Sequence, residues 1–248
     1  MPSLQKPESE AKIADMFNRI AGKYDALNRL LSCRQDRRWR RAMVAMIPRQ
    51  PNLKLLDVAT GTSDVMIEAH RQLGSQAELY GSDISTEMLS LGRKKLDARK
   101  IQNSKLSLMS AENLSFDDKT FHVLTISFGL RNVVNKDKAI AEFSRVLKPN
   151  GRLYILEFFV PEEGFLAHLF QFYFHKILPF IGGIFSDKNA YAYLPKSVAS
   201  SYSIATLTDV MANKGLKVGT IKNFIFGHCK IVEGIKVGSS AELVGAFS

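Results

Sequence analysis

The sequence predicts an α/β domain built on a mostly parallel sheet. Three observations carry that prediction. Short apolar runs alternate with segments of helical periodicity along the 248 residues. The run LLDVATGTSD (55–64) ends its apolar part in an acid and breaks into a small-residue turn. About twenty residues further on, a second run, AELYGSD (77–83), ends in another acid, Asp83.

Each element follows from local pattern. Helices are expected at about 8–20, 24–32 and 36–47, ahead of a first strand at 54–59. A helix then runs through about residue 70, followed by a strand at 78–82 and a helix at 85–99. Ser85 is the N-cap of that helix, with Met88, Leu89 and Leu91 as apolar positions behind it. A third strand covers 106–109, and the turn DDKT (117–120) leads into a fourth, FHVLTIS (121–127). Ile140, Phe143, Val146 and Leu147 mark one face of a helix at 137–147, which the turn KPNG (148–151) stops. A fifth strand covers 152–158. After a long insertion, a helix at 205–214 leads to two closing strands near 217–223 and 228–233. Two closing strands after βαβ units predict a seven-stranded sheet with an antiparallel hairpin at one edge. One domain is expected over residues 1–236, with N-terminal helices in 1–50, a lid insertion in 160–200 and a flexible tail at 237–248.

The first turn narrows the ligand. A G-x-G-x-x-G turn makes room for a pyrophosphate, but this one reads Gly-Thr-Ser-Asp. A nucleoside without phosphates therefore fits better, and S-adenosylmethionine is the common cofactor of that kind. Asp83 stands where a carboxylate takes ribose hydroxyls. Asp57, the acid ending the first run, either belongs to the ligand site or caps the turn that follows it. Ligands of such sheets bind at the carboxyl ends of the strands, so Thr62, Asp83, Ser110, Ala111 and the segment 127–132 should meet on one rim.

Composition bounds the rest. The hydrophobic fraction of 46% is ordinary for a globular protein. The polar start MPSLQKPESEAK has no apolar signal region, and two cysteines, Cys33 and Cys229, are too few for a disulfide framework. A cytoplasmic location is the expectation. No histidine, cysteine or acid spacing suggests a metal. The net charge of +10 suits an acidic partner, an anionic lipid surface or solubility alone.

Further stretches resemble a known family, the ubiquinone/menaquinone biosynthesis C-methyltransferases. They are MFNRIAGKYDALNRLLS (16–32), RRWRR (37–41), LLDVATGTSD, DISTEMLSLGRKKL (83–96), AENLSFDDKTFHVLTISFGLRNV (111–133), RVLKPNGRLYILEFFVP (145–161) and AYAYLPKSV (190–198). FGLRNV with LKPNG and LEF is the most specific part. The resemblance implies the class I S-adenosylmethionine-dependent methyltransferase fold. It also implies that Thr62, Asp83, Ser110, Ala111 and Ser127 contact the cofactor, that Gly61 and Thr62 face its methionine end, and that Asp64 binds its amino group. Thr60 and Ser63 stand where the family loop usually carries glycine. A left-handed backbone at either place would be strained. The reaction implied is methylation of a ring carbon of a prenylated quinol, demethylmenaquinol or its benzoquinol analogue.

That chemistry needs an electron-rich ring. A phenol loses its proton near pKa ~10 in water, so the site must favour the anion. Arg131, in FGLRN at the end of the fourth strand, is the candidate cation, or else it closes a salt bridge across the strand end. Asn132 would orient the quinol oxygen, and Tyr191 and Tyr193 would line the quinol pocket. His122 reads as structural, and His168 and His175 as the polar edge of a helix or as proton acceptors. The insertion FLAHLFQFYFHKILPFIGGIF (165–185) is broken by polar residues, Pro179 and a glycine pair, so it reads as an oily lid dipping toward the membrane interface. Core packing and a homodimer interface are its alternatives. Arg34, Arg37, Arg38 and Arg41 share one helical face, with Arg40 to the side. They read as contacts to anionic headgroups or as a solvated basic face. Enzymes that methylate nucleic-acid amines carry an Asn/Asp-Pro-Pro-aromatic turn where this chain has SFGLRN, so no nucleic-acid partner is expected. A non-enzymatic binding relative is the remaining rival, and cofactor titration would discriminate it.

Overall fold

The computed structural model describes residues 9–159, 197, 201–224 and 228–238. The expected lid, with Tyr191, Tyr193, His168 and His175, lies outside the described residues, as does the tail beyond residue 238.

Seven strands form one sheet: β1 (Lys54–Val58), β2 (Glu78–Asp83), β3 (Ser104–Leu108), β4 (Phe121–Ser127), β5 (Leu147–Phe158), β6 (Leu216–Phe224) and β7 (Cys229–Lys236). Their order is β3-β2-β1-β4-β5-β7-β6. β1 to β5 pair in parallel, and β7 enters antiparallel between β5 and β6. This is the expected sheet with its antiparallel edge. The order reverses between β1 and β4, and such a reversal opens a crevice beyond the carboxyl ends of those two strands.

Alternation along the strands feeds two cores. Leu56, Leu124, Leu153 and Val232 face α5 (Lys136–Val146) and α6 (Ile204–Asn213), meeting Phe143, Leu207 and Met211. Leu55, Val123, Tyr154 and Ile231 face the other way, onto α2 (Gln35–Val44), α3 (Asp64–Leu73) and α4 (Thr86–Asp97), meeting Trp39, Met66 and Leu96. With both faces covered, the central strands put apolar residues on both sides of the sheet, as parallel sheets require.

Three local outcomes depart from or sharpen the expectations. The two helices expected at 8–20 and 24–32 are a single helix, α1 (Glu10–Leu31). Gly22 sits inside it in open space, and one interior glycine costs about 1 kcal/mol, too little to break a helix that packs along its length. The chain turns only at Cys33 and Arg34, both left-handed (φ 49° and 62°). Ser85 does cap α4, its hydroxyl accepting from the Met88 amide at 3.1 Å. The KPNG segment ends α5 as expected, but β5 already begins at Leu147. Phe121 pairs with Leu147 and Val123 with Arg152, so the turn is looped out as a bulge within the strand. Gly151 is needed there, because a Cβ would lie 2.7 Å from the Lys148 carbonyl oxygen. Among the described residues no helix is long and apolar enough to cross a membrane.

Candidate active site

The loop after β1 is built on alternating left-handed residues: Ala59 (φ 51°), Gly61 (φ 54°) and Ser63 (φ 64°). Of the two family glycine positions, only Ser63 takes the strained conformation, at a cost of about 1 kcal/mol; Thr60 does not. The Ser63 hydroxyl is buried without a partner and packs where Gly92 of α4 has no side chain.

Asp57 caps this loop. Its Oδ2 accepts from the Thr60 hydroxyl at 2.6 Å and its Oδ1 from the Thr125 hydroxyl at 2.7 Å. Burial pushes its pKa up to about 7, against those two hydrogen bonds. Stability should carry this signature. Below about pH 4 the carboxyl is protonated both folded and unfolded, so it costs nothing. Between about 4 and 7 only the unfolded chain releases the proton, and the fold loses stability as pH rises. Above 7 the full cost, about 4 kcal/mol by the size of the shift, is present. Asp57→Asn is therefore expected to gain stability over the parent at pH 8 and none at pH 4, read from urea midpoints. An equal effect at both pH values would contradict the assignment.

Asp83 ends β2 beside the same loop. Its Oδ2 accepts from the Gly61 amide at 2.8 Å and its Oδ1 from the Ser85 amide at 2.9 Å. Burial raises its pKa while these amides oppose the rise. The carboxylate is 8% exposed, and that exposure opens into a cleft. The cleft holds about 640 Å3 of empty space, its open mouth included. Gly61, Asp83, Ala111, Ser127 and Asn132 line it, so five of the expected residues meet on one rim. The Ser127 hydroxyl and Asn132 Oδ1 are buried there without hydrogen-bond partners. Such orphans are rare in a finished interior and mark a place where a polar ligand belongs.

Other expected residues stand differently. Ser110 is outside the cleft lining, and its hydroxyl accepts from the Glu112 amide at 3.1 Å. Thr62 and Asp64 belong to an ionic cluster that ties the loop to α1 and α4. The Thr62 hydroxyl donates to Asp25 Oδ1 at 2.7 Å, and Lys95 Nζ bridges Thr62, Asp25 and Asp64. Arg29 Nη2 reaches Asp64 at 3.1 Å. Arg131 lies behind the cleft wall in an ion pair, its Nη1 2.5 Å from Glu157 Oε1 and its amide 3.2 Å from Oε2. Its Nε is buried without a partner. His122 is structural, accepting from the Lys54 amide at 3.0 Å at the opposite end of the sheet.

Several lining residues escaped the sequence reading. Ile13, Phe17 and Tyr24 of α1 roof the cleft, and Met88 and Met109 fill its walls beside Phe128 of the expected 127–132 segment. Asn18 pins the roof, accepting from the Ser85 hydroxyl at 2.6 Å. The signal available was the helical spacing of apolar residues in MFNRIAGKYDALNRLLS, but spacing alone does not say which surface a helix covers.

A family model described as the ubiE/COQ5 methyltransferase family matches residues 5–236. The chain belongs to that family. Among curated relatives it is 42% identical over 230 residues to the "Ubiquinone/menaquinone biosynthesis C-methyltransferase UbiE" of Geotalea daltonii, covering 92% of this chain and 98% of the relative. The protein of the same name from Geobacter sulfurreducens is 41% identical over 92% of this chain and 90% of its own. Among solved structures, a SAM-dependent methyltransferase from Aquifex aeolicus superposes with a TM-score of 0.62 at 16% identity, over 93% of this chain and all of its own. Phosphoethanolamine N-methyltransferase 2 of Haemonchus contortus, solved with S-adenosyl-L-methionine, superposes with a TM-score of 0.62 at 12% identity, over 81% of this chain and 53% of that one. The fold is that of the class I SAM-dependent methyltransferases.

The residues of this methyltransferase fit a nucleoside thioether. A buried carboxylate at the end of β2, a tight loop with its glycine facing the cleft and the orphaned Ser127 hydroxyl meet the polar parts of such a ligand. Ile84, Met88, Met109 and Ala111 present apolar surface for a base.

Proposed function

We propose that this methyltransferase transfers the methyl group of S-adenosylmethionine to a ring carbon of a prenylated quinol, demethylmenaquinol ahead of the benzoquinol intermediate of ubiquinone. The observation that carries the reading is the cleft itself. A buried carboxylate and orphaned oxygens line it together with apolar side chains, Phe17, Phe128, Val133 and Val134 among them. A fused second ring without polar substituents suits that lining better than a substituted benzoquinol does, which is why the naphthoquinol comes first.

S-adenosylmethionine, when bound, supplies a methyl group on a positively charged sulfur. Asp83 accepts from the ribose hydroxyls by charge-assisted hydrogen bonds while the Gly61 and Ser85 amides hold it in place. Ser127 gives its free hydroxyl to the same ligand, and Ala111 leaves room for the adenine. Asn132 accepts from the quinol hydroxyl through Oδ1 and so polarises the O–H bond. Arg131, fixed by Glu157 and stacked at 5.8 Å on the Phe128 ring, supplies positive potential from behind that wall and favours the ring-oxygen anion. Holding the ring against the methyl donor contributes through orientation. Thr62 and Asp64 act through the ionic cluster that shapes the loop. Tyr191 and Tyr193 remain expected lining residues of the quinol pocket. The exposed arginines Arg34, Arg37, Arg38 and Arg41 favour work at an anionic membrane surface, where a lipid quinol resides.

The test is incubation with methyl-labelled S-adenosylmethionine and short-chain naphthoquinol and benzoquinol acceptors. Label on a naphthoquinol ring carbon is expected. Label on the benzoquinol alone would exchange the two substrates, and label on neither would overturn the reading.

A further inference from the structure

Beyond the main cleft lies a second, polar chamber with about 310 Å3 of empty space, its open side included. Tyr24, Ala59, Gly61 and Ser127 line both, so the two adjoin at the turn of the loop. The chamber adds Arg40, Asp57 and Asp64 to its walls. In the sequence Arg40 looks like a flanking member of a basic surface. In the structure it is turned inward beside Trp39 and is only 7% exposed, while Arg37, Arg38 and Arg41 stay in solvent.

Its bonding is incomplete. Nη1 donates to Asp36 Oδ2 at 2.6 Å and lies 4.0 Å from Asp64 Oδ2, and the guanidinium stacks 5.5 Å from the centre of the Phe128 ring. Among the described residues Asp36 is its only hydrogen-bond acceptor. A guanidinium has five donors in a rigid fork that matches a carboxylate. A guanidinium set in a chamber wall beside one carboxylate partner has donors left to face an anion in that chamber. The acids nearby are already committed: Asp64 to Lys95 and Arg29, Asp57 to two threonine hydroxyls, Asp36 also to the Ser32 hydroxyl at 2.8 Å.

We propose that Arg40 is the receptor for the α-carboxylate at the amino-acid end of the cofactor. The proposal rests on the S-adenosylmethionine reading and deepens it. A ligand whose ribose sits on Asp83 extends past Gly61 and Ser127 into the second chamber, where Arg40 forms the cationic wall and matches an α-carboxylate. Arg40 is a cofactor-binding residue here and takes no part in proton transfer.

The test compares two ligands by calorimetry on the full chain. S-adenosylhomocysteine carries the amino-acid end, and 5′-methylthioadenosine has the same nucleoside thioether without it. Arg40→Gln should weaken S-adenosylhomocysteine by about 10- to 100-fold, the range of a charged hydrogen-bonded contact, and should leave methylthioadenosine within about twofold. The paired variant Asp36→Asn/Arg40→Gln, which leaves no unpaired buried acid, should show the same split if the single variant folds poorly. Arg40→Lys should regain part of the loss. Equal losses for both ligands, or no loss for either, would overturn the proposal and make Arg40 a scaffold residue. Failure of the parent protein to bind either ligand would overturn the cofactor reading, and the proposal with it.

Discussion

Asp83→Ala is expected to weaken S-adenosylhomocysteine binding by a factor of a hundred or more while the protein stays folded. Two losses add. The carboxylate that would accept from the ribose hydroxyls goes, a charge-assisted contact worth about 1.5–3 kcal/mol. The Gly61 and Ser85 amides also lose their acceptor, at 2.8 and 2.9 Å in the present structure. The loop and the start of α4 then lose the group that fixes them relative to each other. Asp83→Asn keeps an acceptor for one of the two amides and should fall between the parent and the alanine variant. Calorimetric titration reads both. An affinity within twofold of the parent for Asp83→Ala would remove this residue from the site, and the ribose assignment with it.

Arg131→Ala is the second large effect, and it should appear in stability as well as turnover. Glu157 is 2% exposed, and Arg131 is the ion-pair partner it has among the described residues. Removing one member of a buried pair leaves an uncompensated charge and costs about 3–5 kcal/mol. For a domain of this size that is a fall of about 10 °C in Tm. Turnover therefore has to be measured where the variant is still folded, with S-adenosylhomocysteine affinity as the control. The informative partner is Arg131→Met/Glu157→Leu, which removes both charges and should regain most of the stability. If it also regains turnover, the cation has no role in the chemistry and the pair is purely structural. Lost turnover with stability and cofactor affinity restored is the expected result, because the ring-oxygen anion would then lack its positive potential.

Both predictions depend on features of different legibility. β1, β2 and β4 could be read to within a residue or so because each is a short apolar run bounded by turn chemistry. The Ser85 cap was readable for the same reason, since a hydroxyl before a helical apolar pattern acts on an amide three residues away. The length of α1 was less legible. A glycine that breaks one helix is tolerated in another, and the difference lies in what packs alongside. The bulge in β5 was hidden because KPNG reads as a stop when considered alone, whereas the ladder to β4 resumes on its far side.

The sequence by itself determined the parallel α/β sheet, the antiparallel edge, the loop–acid unit of Gly61 and Asp83, and the family, since all of these are written in local pattern and in motifs. Tertiary structure alone decided which charges are spent and which are open. Arg131 is paired with a glutamate 26 residues away, and Thr62 and Asp64 are tied to Lys95 and Asp25. Arg40 is taken out of the surface cluster and set in a chamber wall. The physical reason is range. Hydrogen bonding and helix or strand periodicity act over a few neighbours, whereas desolvation and ion pairing depend on whatever the folded chain brings within about 4 Å, and one sequence does not record those distances.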